Sequence, residues 1–209
     1  MILELGTLAP SPWKNGGGLT REIAAGPPGC NLEDFHWRLS LADIAPGVFA
    51  FSRFAGIERH TLVLGAGLWL GPAGAPRSAL RQVEPLSALQ LDGQEALQAV
   101  LEGAPIQAFN LMLRRGQAEG ALAVHTCSTP LAAATTLRAL YGMQGRSRVR
   151  VGDQAFELPA GSVALLRDAR ASAPAQLEVL EPRTRVLGAT ISQTGASADR
   201  GGGDRAPTT

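Results

Sequence analysis

The sequence predicts an all-β protein built as two small barrels in tandem, with little helix. Three observations lead there. Glycine and proline punctuate the 209-residue chain every few positions, 25 Gly and 14 Pro in all. The runs between them are short and alternate apolar with polar residues, which is strand periodicity. A strand-and-turn pattern also occurs twice: "LVLGAGLWLG" with "RQVEPLSALQLDG" matches "ALYGMQGRSRVRVG" with "QAFELPAGSVALLRD". Many short strands with regular turns form barrels or sandwiches.

Taken in order, the elements support this. "SPWKNGGGLTREIA" places three glycines before a segment with β-branched Thr20 and Ile23. A phosphate-binding loop would lead into a helix, so the glycines read instead as a tight turn or a close backbone approach. Thr20 and Glu22 share a face there. "FHWRLSLADI" puts Phe35, Trp37, Leu39 and Leu41 on one face and His36, Arg38, Ser40 and Ala42 on the other. "HTLVLGAGLWLG" is a strand, a glycine break and a second strand. "SALRQ" and "QEALQAVLEG" each predict a turn or two of helix. "AFNLMLRRG" splits Phe109, Leu111, Leu113 and Arg115 from Asn110, Met112 and Arg114. "SRVRVGDQAFELPAGSVALLRD" is a hairpin with a Gly-Asp turn, then a further apolar strand. Its Arg146, Arg148 and Arg150 read as a solvated strand face. The boundaries expected are 1–118 for the first barrel, 119–194 for the second, and a disordered glycine-rich tail over 195–209.

Composition narrows the function. A net charge of +1 with scattered arginines leaves no basic stripe for nucleic acid. No apolar run reaches the ~18 residues of a membrane helix, and "MILELGTLAP" lacks the basic start of a signal peptide. A cytoplasmic location is therefore expected. Cys30 and Cys127 lack a partner motif and read as free thiols. His36, His60 and His125 are isolated, with no His-x-His pair, so neither a metal nor another cofactor is expected.

Four strings together, "PWKNGGGLTREIA", "FHWRLSLADI", "FSRFAGIERHTLVLGAG" and "FNLMLRRG", resemble the HutD/Ves family of bacterial proteins. They span residues 12 to 116. The resemblance implies a bicupin, two RmlC-like jelly-roll barrels in tandem. It also implies a small-molecule-binding role that moderates histidine utilisation, with formylglutamate or urocanate as ligand candidates. Members usually carry Asp where Glu58 stands and an aromatic where Leu91 stands.

The candidate ligand-binding residues follow from the residues and the resemblance together. Lys14, the one lysine beside 18 arginines, sits with Asn15 and Thr20 at the rim of the glycine turn. Glu22 can hold the Arg38 guanidinium flat, with Ser40 on the same face. Such a fork either binds a ligand carboxylate or is a structural cross-strand pair. Asn110 and Arg114 can enter the same mouth, and Arg115 points away. Glu58-Arg59 reads as a turn anchor from which Arg59 can reach inward. Trp13, Phe49 and Phe51 either wall the pocket or fill the core. The reading is a metal-free binder of a small anionic metabolite, with no catalytic residues and a homodimer left open as the assembly. The alternative is a metal-free isomerase, hydrolase or lyase with His36 or Glu22 as general base.

Overall fold

The computed structural model describes residues 1–13 and 16–194. Nineteen strands, two 3₁₀ turns and one four-residue helix make up its regular structure. All strand pairings are antiparallel.

The first barrel closes around two sheets. Its six-stranded sheet runs, in spatial order, Pro10–Pro12, Gly18–Gly26, Trp37–Ile44, Ile106–Arg114, Ile57–Val63 and Ala88–Asp92. Its four-stranded sheet runs Gly47–Ala50, Leu97–Leu101, Leu68–Pro72 and Arg81–Gln82. The second barrel repeats the plan. Ile2–Glu4, Ser162–Arg167, Leu137–Gln144, Arg185–Gln193 and Ala118–His125 form its larger sheet. Thr129–Leu131, Ala175–Val179, Ser147–Val151 and Gln154–Leu158 form its smaller one.

The internal repeat is visible in this arrangement. In each barrel the repeated segment runs large sheet, small sheet, small sheet, large sheet, and its first and last strands pair. The expected boundary at 118/119 falls at the start of the Ala118–His125 strand. One segment crosses it: Ile2–Glu4 pairs with Ser162–Arg167 of the second barrel. The tail over 195–209 lies outside the described residues.

Alternation decides which residues go where. On the six-stranded sheet, Leu39, Leu41, Phe109 and Leu111 point outward and pack on Leu137, Ala139, Leu187 and Ala189 of the second barrel. Phe109 stacks on Tyr141 across this seam, with centroids 5.8 Å apart. The opposite face points into the first barrel, where Ala42, Val63 and Ala108 join Leu68, Leu89 and Leu101. The second barrel is filled by its own side chains, including Leu140, Val149, Leu166 and Leu177. Buried Arg138 is satisfied there by the carbonyls of Ala132 and Ala173.

Two sequence expectations are corrected. "QEALQAVLEG" contains the strand Leu97–Leu101, not helix. Ala99 and Leu101 alternate into the core, and neighbours pair on both sides, so tertiary pairing overrides local helix propensity. "SALRQ" gives only the end of the 3₁₀ turn Arg77–Ala79 before a two-residue strand. The Arg146, Arg148 and Arg150 face is solvated, bridged by Glu157, Glu178 and Glu181.

Candidate functional site in the first barrel

The glycine-rich stretch is the turn of a hairpin. Trp13 N–H bonds the Gly18 carbonyl at 2.9 Å, and Pro10–Pro12 pairs with Gly18–Gly26. Gly16 takes a left-handed φ of 72°. At Gly18 a side chain would collide with the Asp43 carbonyl of the neighbouring strand, so glycine permits the close approach. The hairpin carries Trp13 to the barrel mouth, where its indole N–H bonds Thr20 Oγ1 at 2.7 Å. Lys14 and Asn15 lie outside the described residues.

Behind this hairpin lies a cavity of about 510 Å³ between the two sheets of the first barrel. Thr20, Arg38, Ser40, Arg59 and Asn110 line it. Three adjacent strands supply most of the polar lining, and their register arranges it in rows. Arg38 sits opposite Met112, which sits opposite Arg59. One row along, Ser40, Asn110 and Thr61 stand side by side; the next row is Ala42, Ala108 and Val63.

Glu22 and Arg38 form the pair that strand alternation predicts, Nε to Oε2 at 2.7 Å. Glu22 aligns with Ser40, on the face that Arg38 shares; the bulge that follows, between Glu22 and Ala24, turns Ile23 into the seam between barrels. The side chains are 14% and 52% exposed, so solvent weakens the pair and its main effect is orientation. The bond uses Nε only, leaving the terminal amino groups of Arg38 without a partner among the described residues.

Arg59 is the cavity's most unusual residue. It is 8% exposed, and among the described residues no carboxylate pairs with it. One terminal amino group donates to the Ser52 carbonyl at 3.1 Å, and Nε has no hydrogen-bond partner among the described residues. The Phe51 and Phe54 rings flank the guanidinium, 5.3 and 5.5 Å from its carbon. Burial, aided by the Arg38 charge, pushes its pKa down to about 10, so it remains cationic at neutral pH. The sequence reading of Glu58-Arg59 as a turn anchor is corrected. Both lie within the strand Ile57–Val63, whose alternation sends Arg59 inward and Glu58 out to His60 and Gln90.

Other candidates divide. Thr61 Oγ1 donates to Asn110 Oδ1 at 2.7 Å, fixing the Asn110 amide at the cavity wall. Trp13, Phe49 and Phe51 wall the cavity and also contact each other, with Phe49 buried in the core. Arg114 does not line the cavity. Its Nε and a terminal amino group bond the carbonyls of Phe35 and Glu33, tying down the preceding loop. Arg115 pairs with Asp92. His36 also lies outside, 3.3 Å from Gln193 Nε2 of the second barrel.

Thr61, Phe54 and Arg53 line the cavity but escaped the sequence reading. The alternation Ile57, Arg59, Thr61, Val63 in "IERHTLV" carried the signal for Thr61. Arg38, Arg53 and Arg59 are the only ionisable side chains among the described lining residues. The described residues contain no cluster of three or more His, Cys, Asp or Glu suited to a metal ion. None of their helices is long and apolar enough to cross a membrane.

The HutD family model matches residues 6–184. The chain belongs to the HutD family. An uncharacterised 21.2 kDa protein from the hutC 3′ region of Pseudomonas putida is 42% identical over 102 residues, 48% of this chain and 51% of that protein. Protein Ves of Escherichia fergusonii is 39% identical over 104 residues, 49% and 51% of the two chains. These alignments span about half the length of the curated relatives. The structure of HutD from Pseudomonas fluorescens SBW25 (formate condition) superposes with a TM-score of 0.76 at 26% identity, covering 93% of this chain and 99% of that one. A conserved protein of unknown function from Pseudomonas aeruginosa PAO1 gives 0.79 at 26% identity, covering 92% and 98%. A cupin 2 barrel protein from Leptotrichia buccalis, at 10% identity and a TM-score of 0.58 over 91% and 96% of the chains, shares the fold alone. The HutD-family chain is thus an all-β tandem cupin.

Proposed function

We propose that this HutD-family protein binds a small anionic carboxylate metabolite in its first barrel and acts as a sensor or sink rather than a catalyst. The observation that carries the reading is Arg59: a cation buried in a cavity, with no described carboxylate beside it and an unbonded Nε. Burying a cation without a counter-ion is costly, and a bound anion would supply one. Arg38, held by Glu22, supplies a second guanidinium. The described lining holds no carboxylate, imidazole or thiol to serve as a general base. Glu22 is engaged by Arg38 and His36 lies outside the cavity, which disfavours the enzyme alternative.

Family membership, and the relative from the hutC 3′ region, support a role in moderating histidine utilisation, with formylglutamate and urocanate as the first ligands to test. The test is a thermal-shift screen of carboxylates followed by calorimetric titration of those that raise the melting temperature. A saturable carboxylate ligand, lost in Arg59→Met, supports the reading. Failure of any carboxylate to bind at millimolar concentration overturns it. Mass spectrometry of the same incubations checks that the bound ligand is returned unchanged.

A further inference from the structure

The row order of the cavity specifies more than charge. Resting on the anion-binding reading above, we infer that the occupant carries a carboxylate at one end and a neutral amide group toward the other, and that this site selects such a monoamide over a dicarboxylate. The cationic row is Arg38, Met112 and Arg59. Two residues along each strand, about 7 Å of backbone at ~3.4 Å per residue, comes the Ser40, Asn110 and Thr61 row. It contains no charge. Beyond it the wall turns apolar with Ala42, Ala108 and Val63.

The neutral row has a defined hydrogen-bonding polarity. The Thr61 hydroxyl proton is committed to Asn110 Oδ1 at 2.7 Å. Thr61 Oγ1 therefore offers lone pairs to the cavity. Among the described residues the Asn110 amino group reaches only the Ala108 carbonyl, at 3.4 Å, and it has a second hydrogen to give. With the Ser40 hydroxyl free to donate or accept, Thr61 and Asn110 set one fixed acceptor beside one fixed donor, which complements a primary or secondary amide with its N–H and C=O. A carboxylate has acceptors only, so one of its oxygens would meet the Thr61 lone pairs. It would also lose its water against an apolar wall with no charged residue in the described Ser40, Asn110 and Thr61 row or the Ala42, Ala108 and Val63 row beyond it. A site built on such matched polar groups discriminates strongly against a ligand that leaves one unmatched.

The experiment is calorimetric titration with length-matched pairs: succinamate against succinate, glutaramate against glutarate, and adipamate against adipate. The expected result is that at least one monoamide binds about tenfold or more tightly than its diacid, a difference of ~1.4 kcal/mol. Thr61→Val, a close shape match that removes the acceptor, should cut that preference to below about threefold. Because the lone pairs that oppose a second carboxylate are gone, affinity for the diacid should rise rather than fall. If the diacids bind as tightly as the monoamides, or the preference survives in Thr61→Val, this inference is overturned and the anion-binding reading stands. If no member of either series binds, this inference is overturned, and the anion-binding reading falls with it when formylglutamate and urocanate also fail.

Discussion

Replacing Arg59 by methionine separates a binding cation from a structural one. Methionine keeps an unbranched stem that can follow the arginine's path between Phe51 and Phe54. Burial lowers the guanidinium pKa from its ordinary range to about 10, which corresponds to a cost of about 3 kcal/mol for holding the charge in the folded protein. Against this stand the charged hydrogen bond to Ser52, worth ~1.5–3 kcal/mol, and two ring contacts at ~0.5–1 kcal/mol each. The terms nearly cancel. Ligand-free Arg59→Met should therefore match the parent protein to within about 1 kcal/mol, or roughly 2–4 °C for a chain of this size. Breaking a true buried ion pair would instead cost ~3–5 kcal/mol. The two proteins should part company in ligand: at a hundred times Kd the parent gains about 2.7 kcal/mol, and the variant should gain almost nothing. Scanning calorimetry with and without ligand at neutral pH measures both quantities. A ligand-free variant melting more than about 8 °C lower, with its ligand response intact, would refute the reasoning.

Arg38→Ala should weaken carboxylate binding by about tenfold to a hundredfold, from a lost charge-assisted contact of ~1.5–3 kcal/mol, whereas Arg150→Ala on the solvated ladder should change affinity less than about twofold; titration of the two variants side by side decides this. Gly18→Ala should lower the melting temperature by several degrees, because the new methyl group meets the Asp43 carbonyl. Phe109→Ala should cost about 3–5 kcal/mol in denaturant unfolding through loss of a fully buried ring at the seam between barrels. His125 is half-buried and its pKa is pushed below 6.5 by desolvation. The unfolded chain therefore takes up the proton first, so the neutral histidine's share of stability is present above about pH 6.5 and is lost as the pH falls toward the lowered folded value. Melting curves from pH 7.5 to 5 should be measurably flatter for His125→Gln.

Strand alternation made the fold legible, and with it the part of the site that alternation controls. Thr20 with Glu22, Arg38 with Ser40, and Asn110 apart from Phe109 all fall on the faces their spacing implies. The Glu22–Arg38 pair followed from that spacing plus the assumption that their strands adjoin. Arg59 was harder to place, because "GIERH" carries a glycine and adjacent charges that resemble a turn, and only pairing on both sides makes it a strand. Arg114 shows the opposite limit. It belongs to the cavity-facing set by parity, but its strand ends there, and the side chain reaches the loop carbonyls of Glu33 and Phe35 instead. Parity assigns a face; how far along the barrel that face remains a cavity depends on closure, which one strand's sequence does not encode.

The Ile2–Glu4 strand has a consequence for how the molecule assembles. Its partner Ser162–Arg167 lies some 160 residues further along the chain and is therefore synthesised well after it. Leu5, just after it, likewise bonds Gly161. The opening residues must wait unpaired until the second barrel supplies their edge, whatever the first barrel has achieved by then. Contacts that distant in sequence slow folding, because a long loop must close before they stabilise anything. The two barrels are thus fastened by a stitch that neither could complete alone.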